Sequence, residues 1–189
     1  ASATANSVNR GAAASLAGMS SPTGVAAAMG KLVVADRYNH RVLLWNSIPT
    51  AMGQAADLVL GQTSGSGTGS NPGGTTANGM SEPLAVATDG TRIVVADTWN
   101  YRVMIWNSWP PVSGTVADVV LGQPDFFHSA YAGGFVTDSL MVGPTAIARA
   151  GNRLIVLDGE GSRALIWQQL PLDSSTKPTV VVGQADMRS

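Results

Sequence analysis

The chain has 189 residues, of which 44% are hydrophobic and 12% charged, and its net charge is -1 at pH 7. This length and apolar content fit one domain with a sizeable core. The near-neutral charge argues against a nucleic-acid partner, because a surface that binds nucleic acid is normally basic. Cysteine is absent, which excludes disulfides and thiolate metal sites.

One unit occurs three times, with 61 residues between equivalent positions and no gap. Its most regular part is Leu32–Asn46, and the same pattern returns at Ile93–Asn107 and at Leu154–Gln168. Other columns are identical in all three copies; in the first copy they include Met19, Pro22, Ala26, Pro49, Val59, Gly61 and Gln62. A fixed period of this kind is typical of repeat architectures, in which each unit packs on its neighbours.

Each unit contains four short strand-like runs. In the first copy these are Gly24–Ala28, Lys31–Asp36, Arg41–Asn46 and Asp57–Gly61. The runs are β-branched and continuously apolar, which predicts burial on both faces. The only helix-like fragment is Ala12–Ala17. Four short strands per unit with both faces buried favour the blade of a β-propeller, so the predicted fold is all-β.

The motifs of the unit resemble the NHL repeat. They are Pro22–Ala26, Leu32–Val42 and Leu60–Gln62, which read Pro-x-Gly-Val-Ala, Leu-x-Val-Ala-Asp-x-x-Asn-x-Arg-Val and Leu-Gly-Gln. Leu121–Phe126 is similar to the blade ends of long-repeat bacterial versions of this family. The resemblance implies a propeller in which the first strand of each blade lines the central channel and the fourth lies at the rim. NHL-like propellers include binding modules and a few enzymes.

The repeat predicts a single propeller domain, 1–189, with blades at about 22–62, 83–123 and 144–184. The segments 63–82 and 124–143 carry the chain from one blade to the next, and we call them the handover segments. They are longer than a blade crossing needs, so the surplus is expected on one face, where loops usually carry recognition.

Three blades are too few to close a propeller, which ordinarily has four to eight. An open arc would expose the apolar faces of the first and last blades. We therefore expect two chains to associate head to tail as a six-bladed homodimer with two-fold symmetry. Two alternatives stay open: the chain is a fragment of a longer propeller, or the contact does not close and gives a polymer.

Three positions of each unit are expected to be structural. An Asp at the end of the second strand can accept hydrogen bonds from the following backbone, and the Arg five residues later can reach it or the next blade. A Trp follows four residues after the Arg. The residues concerned are Asp36, Arg41, Trp45, Asp97, Arg102, Trp106, Asp158, Arg163 and Trp167. Because Gly161 replaces the Asn found in the other two copies, the third corner is expected to be less firmly held.

Aromatic side chains supply the candidate binding residues. The tips of the corners between the second and third strands carry Tyr38, His40, Trp99 and Tyr101, with Glu160 and Ser162 in the third copy. Amphipathic rings of this kind suit a sugar, a peptide or a protein partner. The alternative is that the rings pack on neighbouring corners.

The second handover segment offers another candidate surface. It is aromatic, with Phe126, Phe127, Tyr131 and Phe135, whereas the first, at 63–79, is rich in Gly, Ser and Thr and is expected to be flexible. These rings either pack on the blades or form an exposed apolar surface.

Catalytic residues are not evident. The predicted inner strands are apolar, and the one nearby carboxylate, Asp89, sits in an Asp-Gly turn that explains it structurally. The two histidines, His40 and His128, have no repeated partner, and no cluster has metal-ligand spacing. We therefore expect no metal, no cofactor and no enzyme activity. The alternative is a metal-dependent propeller hydrolase or lyase with a site at the central channel, around which a dimer could combine Asp89 and Arg149 with their counterparts in the second chain.

The sequence thus predicts a non-catalytic binding or assembly scaffold that recognises a protein or glycan partner through one loop-bearing face. No apolar run approaches the about 20 residues of a membrane-spanning helix, so no membrane span is expected. The chain opens on Ala1–Ala3 without a Met, as a mature end left by a signal peptidase would. An extracellular or periplasmic location is expected on this ground, and a cytoplasmic one stays open.

Overall fold

The computed structural model describes residues 8–131 and 136–187, which form three four-stranded antiparallel sheets and contain no α-helix. The strands of each sheet pair in chain order. The first blade comprises β1 (Pro22–Ala28), β2 (Lys31–Asp36), β3 (Arg41–Trp45) and β4 (Leu58–Leu60). The second comprises β5 (Ala85–Thr88), β6 (Ile93–Asp97), β7 (Arg102–Trp106) and β8 (Val119–Leu121). The third comprises β9 (Pro144–Ala150), β10 (Arg153–Asp158), β11 (Arg163–Trp167) and β12 (Val180–Val182). The predicted all-β fold is confirmed.

Short 3-10 turns complete the secondary structure. They are Val8–Gly11, Arg37–Asn39 and Thr98–Asn100. The helix-like reading of Ala12–Ala17 is wrong, since these residues form bends and a turn. A fragment of six residues is too short to nucleate a helix alone. Its carbonyl groups also bond elsewhere, because Leu16 O accepts from the Ala56 N–H at 2.9 Å and Ser15 O accepts from Arg41.

Neighbouring blades pack through equivalent faces of their sheets. We call the face turned toward the following blade the leading face and the opposite one the trailing face. In the first blade the leading face includes Val33, Val42 and Leu44, which form one core with Val95 and Trp106 of the second blade's trailing face. The second and third blades share a core of the same construction. Burial of these aliphatic faces is what joins the blades.

The two outer faces differ in how far they are covered. On the leading face of the third blade, Leu157 is 47% and Val182 54% exposed. The trailing face of the first blade is largely covered, because Leu16 and Met19 pack against it, although Val25 stays open. The prediction of burial on both faces therefore holds for β3, β6, β7 and β8. It is wrong for β1 and for β9–β12, whose outward side has no neighbouring blade.

The first strands of the three blades, β1, β5 and β9, lie next to one another. Gly24 allows the closest approach: a Cβ at this position would lie 2.8 Å from the carbonyl oxygen of Leu84 at the next inner strand. The Thr23 hydroxyl donates to Pro83 O at 3.3 Å across the same junction. The inner edge is thus built from small residues that let the backbones meet.

Candidate functional site

Each corner is built on a buried carboxylate. Asp36 accepts from the Ser20 N–H at 2.6 Å, from Asn39 Nδ2 at 2.8 Å and from Arg41 Nε at 2.7 Å. Asp97 repeats this arrangement in the second blade. The Asp and Arg side chains are fully buried in both blades. Because the ion pair is fully desolvated and hydrogen-bonded, it fixes the start of the third strand against the end of the second.

The guanidinium of the corner also ties the handover segments together. Arg102 donates through Nη2 to Thr76 O and Gly79 O, each at 2.9 Å, and through Nη1 to Phe126 O at 2.7 Å. The first two carbonyls belong to the segment that enters the blade, and the third belongs to the segment that leaves it. One buried side chain therefore holds the corner and both flanking segments in one arrangement.

The third corner replaces the Asn side chain with a second backbone donor. Asp158 accepts from the N–H groups of Val142 and Gly143, at 3.0 and 2.8 Å, and from Arg163 Nε at 3.0 Å. Gly161 has no room for a side chain in this arrangement, since an added Cβ would lie 2.7 Å from Asp158 Oδ2. The expectation of a weakly held corner is wrong, because Asp158 keeps three donors, as Asp36 does.

The Leu-Gly-Gln motif joins the rim strand to the corner. Gly61 has a φ of +85°, and a Cβ there would lie 2.8 Å from His40 O, so glycine is required on two grounds. The Gln62 amide donates to His40 O at 3.2 Å and to Gly69 O at 2.8 Å. The corner and the handover segment consequently lie on the same face of the blades, which we call the corner face.

The predicted tip residues divide into exposed and packed rings. Tyr38 is 52% and Trp99 57% exposed, whereas His40 and Tyr101 are half-buried. His40 Nδ1 accepts from the Glu82 N–H at 3.1 Å, so this ring links two blades. His40 and Tyr101 both have a positive φ, which places them at the left-handed end of the corner turn.

The aromatic handover segment reaches the same face. Phe126 packs against the core between the first two blades, and Phe127 and Tyr131 are exposed. The Tyr131 and Tyr101 rings lie 5.3 Å apart at their centroids. The two candidate surfaces are therefore one. Phe135 lies outside the described residues.

The corner face carries a cation at the junction of the first and second blades. The Arg37 guanidinium lies 4.8 Å from the centre of the Tyr38 ring. Its Nη2 and Nε atoms donate to Glu82 Oε2 at 2.8 and 3.0 Å. An aromatic face, a guanidinium and a carboxylate are thus stacked at this point by the chain itself.

At the junction of the second and third blades the corner face has a hollow of about 70 Å³. It is lined by Thr98, Trp99, Tyr101 and Glu160. Thr98 uses its hydroxyl to bond Pro144 O at 2.7 Å. The Glu160 carboxylate is exposed and has no hydrogen-bond or ion-pair partner among residues 8–131 and 136–187.

The inner strands present one ion cluster. Asp89 Oδ2 pairs with Arg149 Nη1 at 2.6 Å and with Arg92 Nε at 3.1 Å. Partial burial opposes its ionisation, but the adjacent Arg149 guanidinium and hydrogen bonds from the backbone N–H groups of Arg92 and Thr91 hold the pKa of Asp89 well below its usual range. Asp89 is therefore a paired anion at the start of the turn between β5 and β6.

In the described part of the chain no three His, Cys, Asp or Glu residues are grouped closely enough to hold a metal ion. No helix there is long and apolar enough to cross a membrane. Sequence reasoning missed Arg37, Glu82 and Thr98. An alignment of the three copies could have identified this position, because Arg37 and the uncharged Thr98 occupy the same column.

The three sheets, their shared cores and their repeated corners define an all-β protein built of propeller blades. A family model for the NHL repeat matches residues 19–43, which cover β1, β2 and the first corner. Residues 19–43 therefore carry an NHL repeat. This repeat suggests a propeller domain of a kind that often binds proteins. No curated protein matches the chain.

Proposed function

We propose that the chain is a non-catalytic binding and assembly scaffold that engages a protein or glycan partner through the corner face. The observation that carries the proposal is the set of exposed rings on a rigid frame. Four aromatic residues are each at least half exposed to solvent: Tyr38, Trp99, Phe127 and Tyr131. Exposed amphipathic rings of this kind are typical of surfaces that bind sugars, peptides or proteins.

The frame beneath the rings supports binding rather than chemistry. The corner turns are fixed by the buried Asp–Arg pairs, so the rings lose little freedom when a partner binds. At the inner strands, Asp89 is already neutralised by two arginines. A carboxylate with a depressed pKa is a weak general base, which favours a structural role for this cluster.

Alanine substitution on the corner face tests the proposal. The triple variant Tyr38→Ala, Trp99→Ala, Tyr101→Ala and the wild-type chain would be compared on a glycan array and against a peptide display library. Ligands of the wild type should lose about tenfold or more in affinity, as expected when several anchor rings are removed.

The matched control carries Met52→Ala and Val112→Ala, which remove exposed apolar side chains from the opposite ends of the strands. It should bind as the wild type does. Ligands that bind the triple variant undiminished would show that recognition lies elsewhere.

Self-association is a second candidate function, and the open leading face of the third blade favours it. Ile155, Leu157 and Ile166 stand in the register positions of Val33, Ala35 and Leu44, which the first blade buries against the second. The trailing faces of the first and second blades are also covered in similar ways. Leu16 and Met19 pack on it as Met80 does on the second blade. A head-to-tail homodimer would therefore repeat a contact that the chain already makes twice.

A further inference from the structure

The two junctions on the corner face are built from the same kinds of group, except for one. At the first junction Tyr38 supplies a ring, Glu82 a carboxylate and Arg37 the guanidinium between them. At the second junction Trp99 occupies the register position of Tyr38. Thr98 replaces Arg37, and its short side chain supplies no charge.

The carboxylate of the second junction comes from a different position but reaches the same neighbourhood. Gly143 is the register equivalent of Glu82, and a Cβ added to Gly143 would lie 3.4 Å from Cδ of Glu160. Glu160 therefore lies over the place from which a Glu82-like side chain would start. The ring and the carboxylate are both present, and the hollow of about 70 Å³ stands between the elements that carry them.

We infer that this hollow binds an arginine side chain of a protein partner, in the place that Arg37 fills at the first junction. The inference rests on the proposed function of the corner face and names the chemistry of its partner. A guanidinium can stack on the Trp99 indole and donate to the Glu160 carboxylate. Trp is the strongest of the aromatic side chains in such stacking, and Arg is the cation most often found in it.

The inference can be tested with N-acetyl-arginine methylamide as the probe and the indole N–H signals of the full chain as the readout. The Trp99 signal would be identified from the variant Trp99→Phe. The arginine probe should shift this signal in the millimolar range, and the neutral isostere N-acetyl-citrulline methylamide should bind about three- to fivefold more weakly or not at all.

Three variants assign the effect to the hollow. Glu160→Gln removes the charge at an exposed position and should weaken arginine binding about three- to fivefold. Thr98→Arg places a cation where Arg37 stands at the first junction and should abolish binding of the probe. Tyr38→Ala, a ring change at the other junction, should leave the Trp99 shift unchanged.

Equal shifts with arginine and citrulline, or a shift unaffected by Glu160→Gln, would overturn the inference, since simple stacking would then explain the contact. A Trp99 signal that responds to methyl glucoside and not to arginine would also overturn it. That last outcome would leave the corner face standing as a binding surface. Failure of the corner face itself would appear separately, as undiminished ligand binding by the triple alanine variant.

Discussion

At the residue scale, the corner shows how a chain with few charges uses them. Arg102 is fully buried, yet four hydrogen bonds satisfy its guanidinium: one to Asp97 and three to backbone carbonyls of two different segments. Burial of an ion pair is costly unless its remaining donors and acceptors are also satisfied. The carbonyl groups of the handover segments meet that requirement. The corner and these irregular segments therefore stabilise each other's conformation.

Replacement of Arg102 by Lys tests this role of the guanidinium. A lysine keeps the charge, but its three donors share one nitrogen atom and cannot reach all the groups that Nε, Nη1 and Nη2 of Arg102 serve. Some of the carbonyl and carboxylate oxygens would therefore be left buried without donors. Arg102→Lys should lower the free energy of unfolding by about 3–5 kcal/mol. The measurement is the midpoint of urea denaturation at an unchanged slope.

The control for this prediction is Arg153→Lys. Arg153 is exposed and donates through Nε to Gln168 Oε1 at 2.8 Å. Its replacement should change the free energy of unfolding by less than about 0.5 kcal/mol. Similar effects of the two substitutions would mean that charge alone, and not the directed bonds of Arg102, holds the corner.

At the element scale, a second group of contacts joins the first two blades at the end of the strands opposite the corner face. Trp109 Nε1 donates to Asn46 Oδ1 at 2.8 Å, and Lys31 Nζ lies 4.3 Å from the centre of an aromatic ring of Trp109. Lys31 also donates to Gly90 O at 2.9 Å, so this group joins the first and second blades. At the equivalent place of the second junction, Leu170 provides no donor, and the buried Oδ1 atom of Asn107 has no partner among the described residues.

Trp109→Leu should therefore destabilise the fold more than substitution of an exposed tryptophan does. The substitution removes the bond to Asn46, the contact with Lys31 and part of the apolar burial, and should lower the free energy of unfolding by about 1–3 kcal/mol. Trp99→Leu, at the exposed tip of a corner, should cost less than about 0.5 kcal/mol. Denaturant unfolding measures both. An equal loss in the two variants would contradict the assignment of Trp109 to the junction.

How far the sequence predicts this molecule depends on whether a feature repeats. Strands such as Lys31–Asp36 were predictable to the residue, because period and turn glycines recur in each copy. The spacing of Asp36 and Arg41 suggested a direct contact for the same reason. What does not repeat was not predictable. Glu160 meets the Trp99 hollow from another blade, and no local pattern shows that it takes the place of Glu82.

The local sequence pattern also could not predict which faces of the strands are buried. The apolar runs at Ile93–Asp97 and Arg153–Asp158 look alike in sequence, but the first is buried throughout and the second is exposed on one side. The difference arises from position in the stack, since only the middle blade has neighbours on both faces. Whether a blade face is covered is decided by tertiary packing, and the strand's own residues cannot report it.

At the scale of the whole molecule, the open leading face of the third blade is the feature that a second chain would change. Its exposed residues, Leu157, Val180 and Val182, come from a strand in the middle of the blade and from the rim strand. Exposed apolar faces of this kind mark interaction surfaces. The face offers the aliphatic side chains that the preceding blades bury, and the trailing face of the first blade offers the complementary ones.

Charge placed on the leading face tests head-to-tail association. In a closed ring, light scattering on a sizing column should give one species of twice the 19.3 kDa of a single chain. Leu157→Arg and Val182→Arg should weaken this association about tenfold or more, because each buries a charge in an apolar contact. Both residues are exposed in the single chain, so its unfolding midpoint should not change.

Leu172→Arg is the matched control, since Leu172 is 66% exposed in the connection between β11 and β12, away from the leading face. It should associate as the wild type does. A mass that rises with concentration without a plateau would indicate a contact that does not close, and hence a polymer. A wild-type chain that stays at 19.3 kDa at every concentration would contradict self-association in either form, because the apolar leading face would then tolerate water on its own.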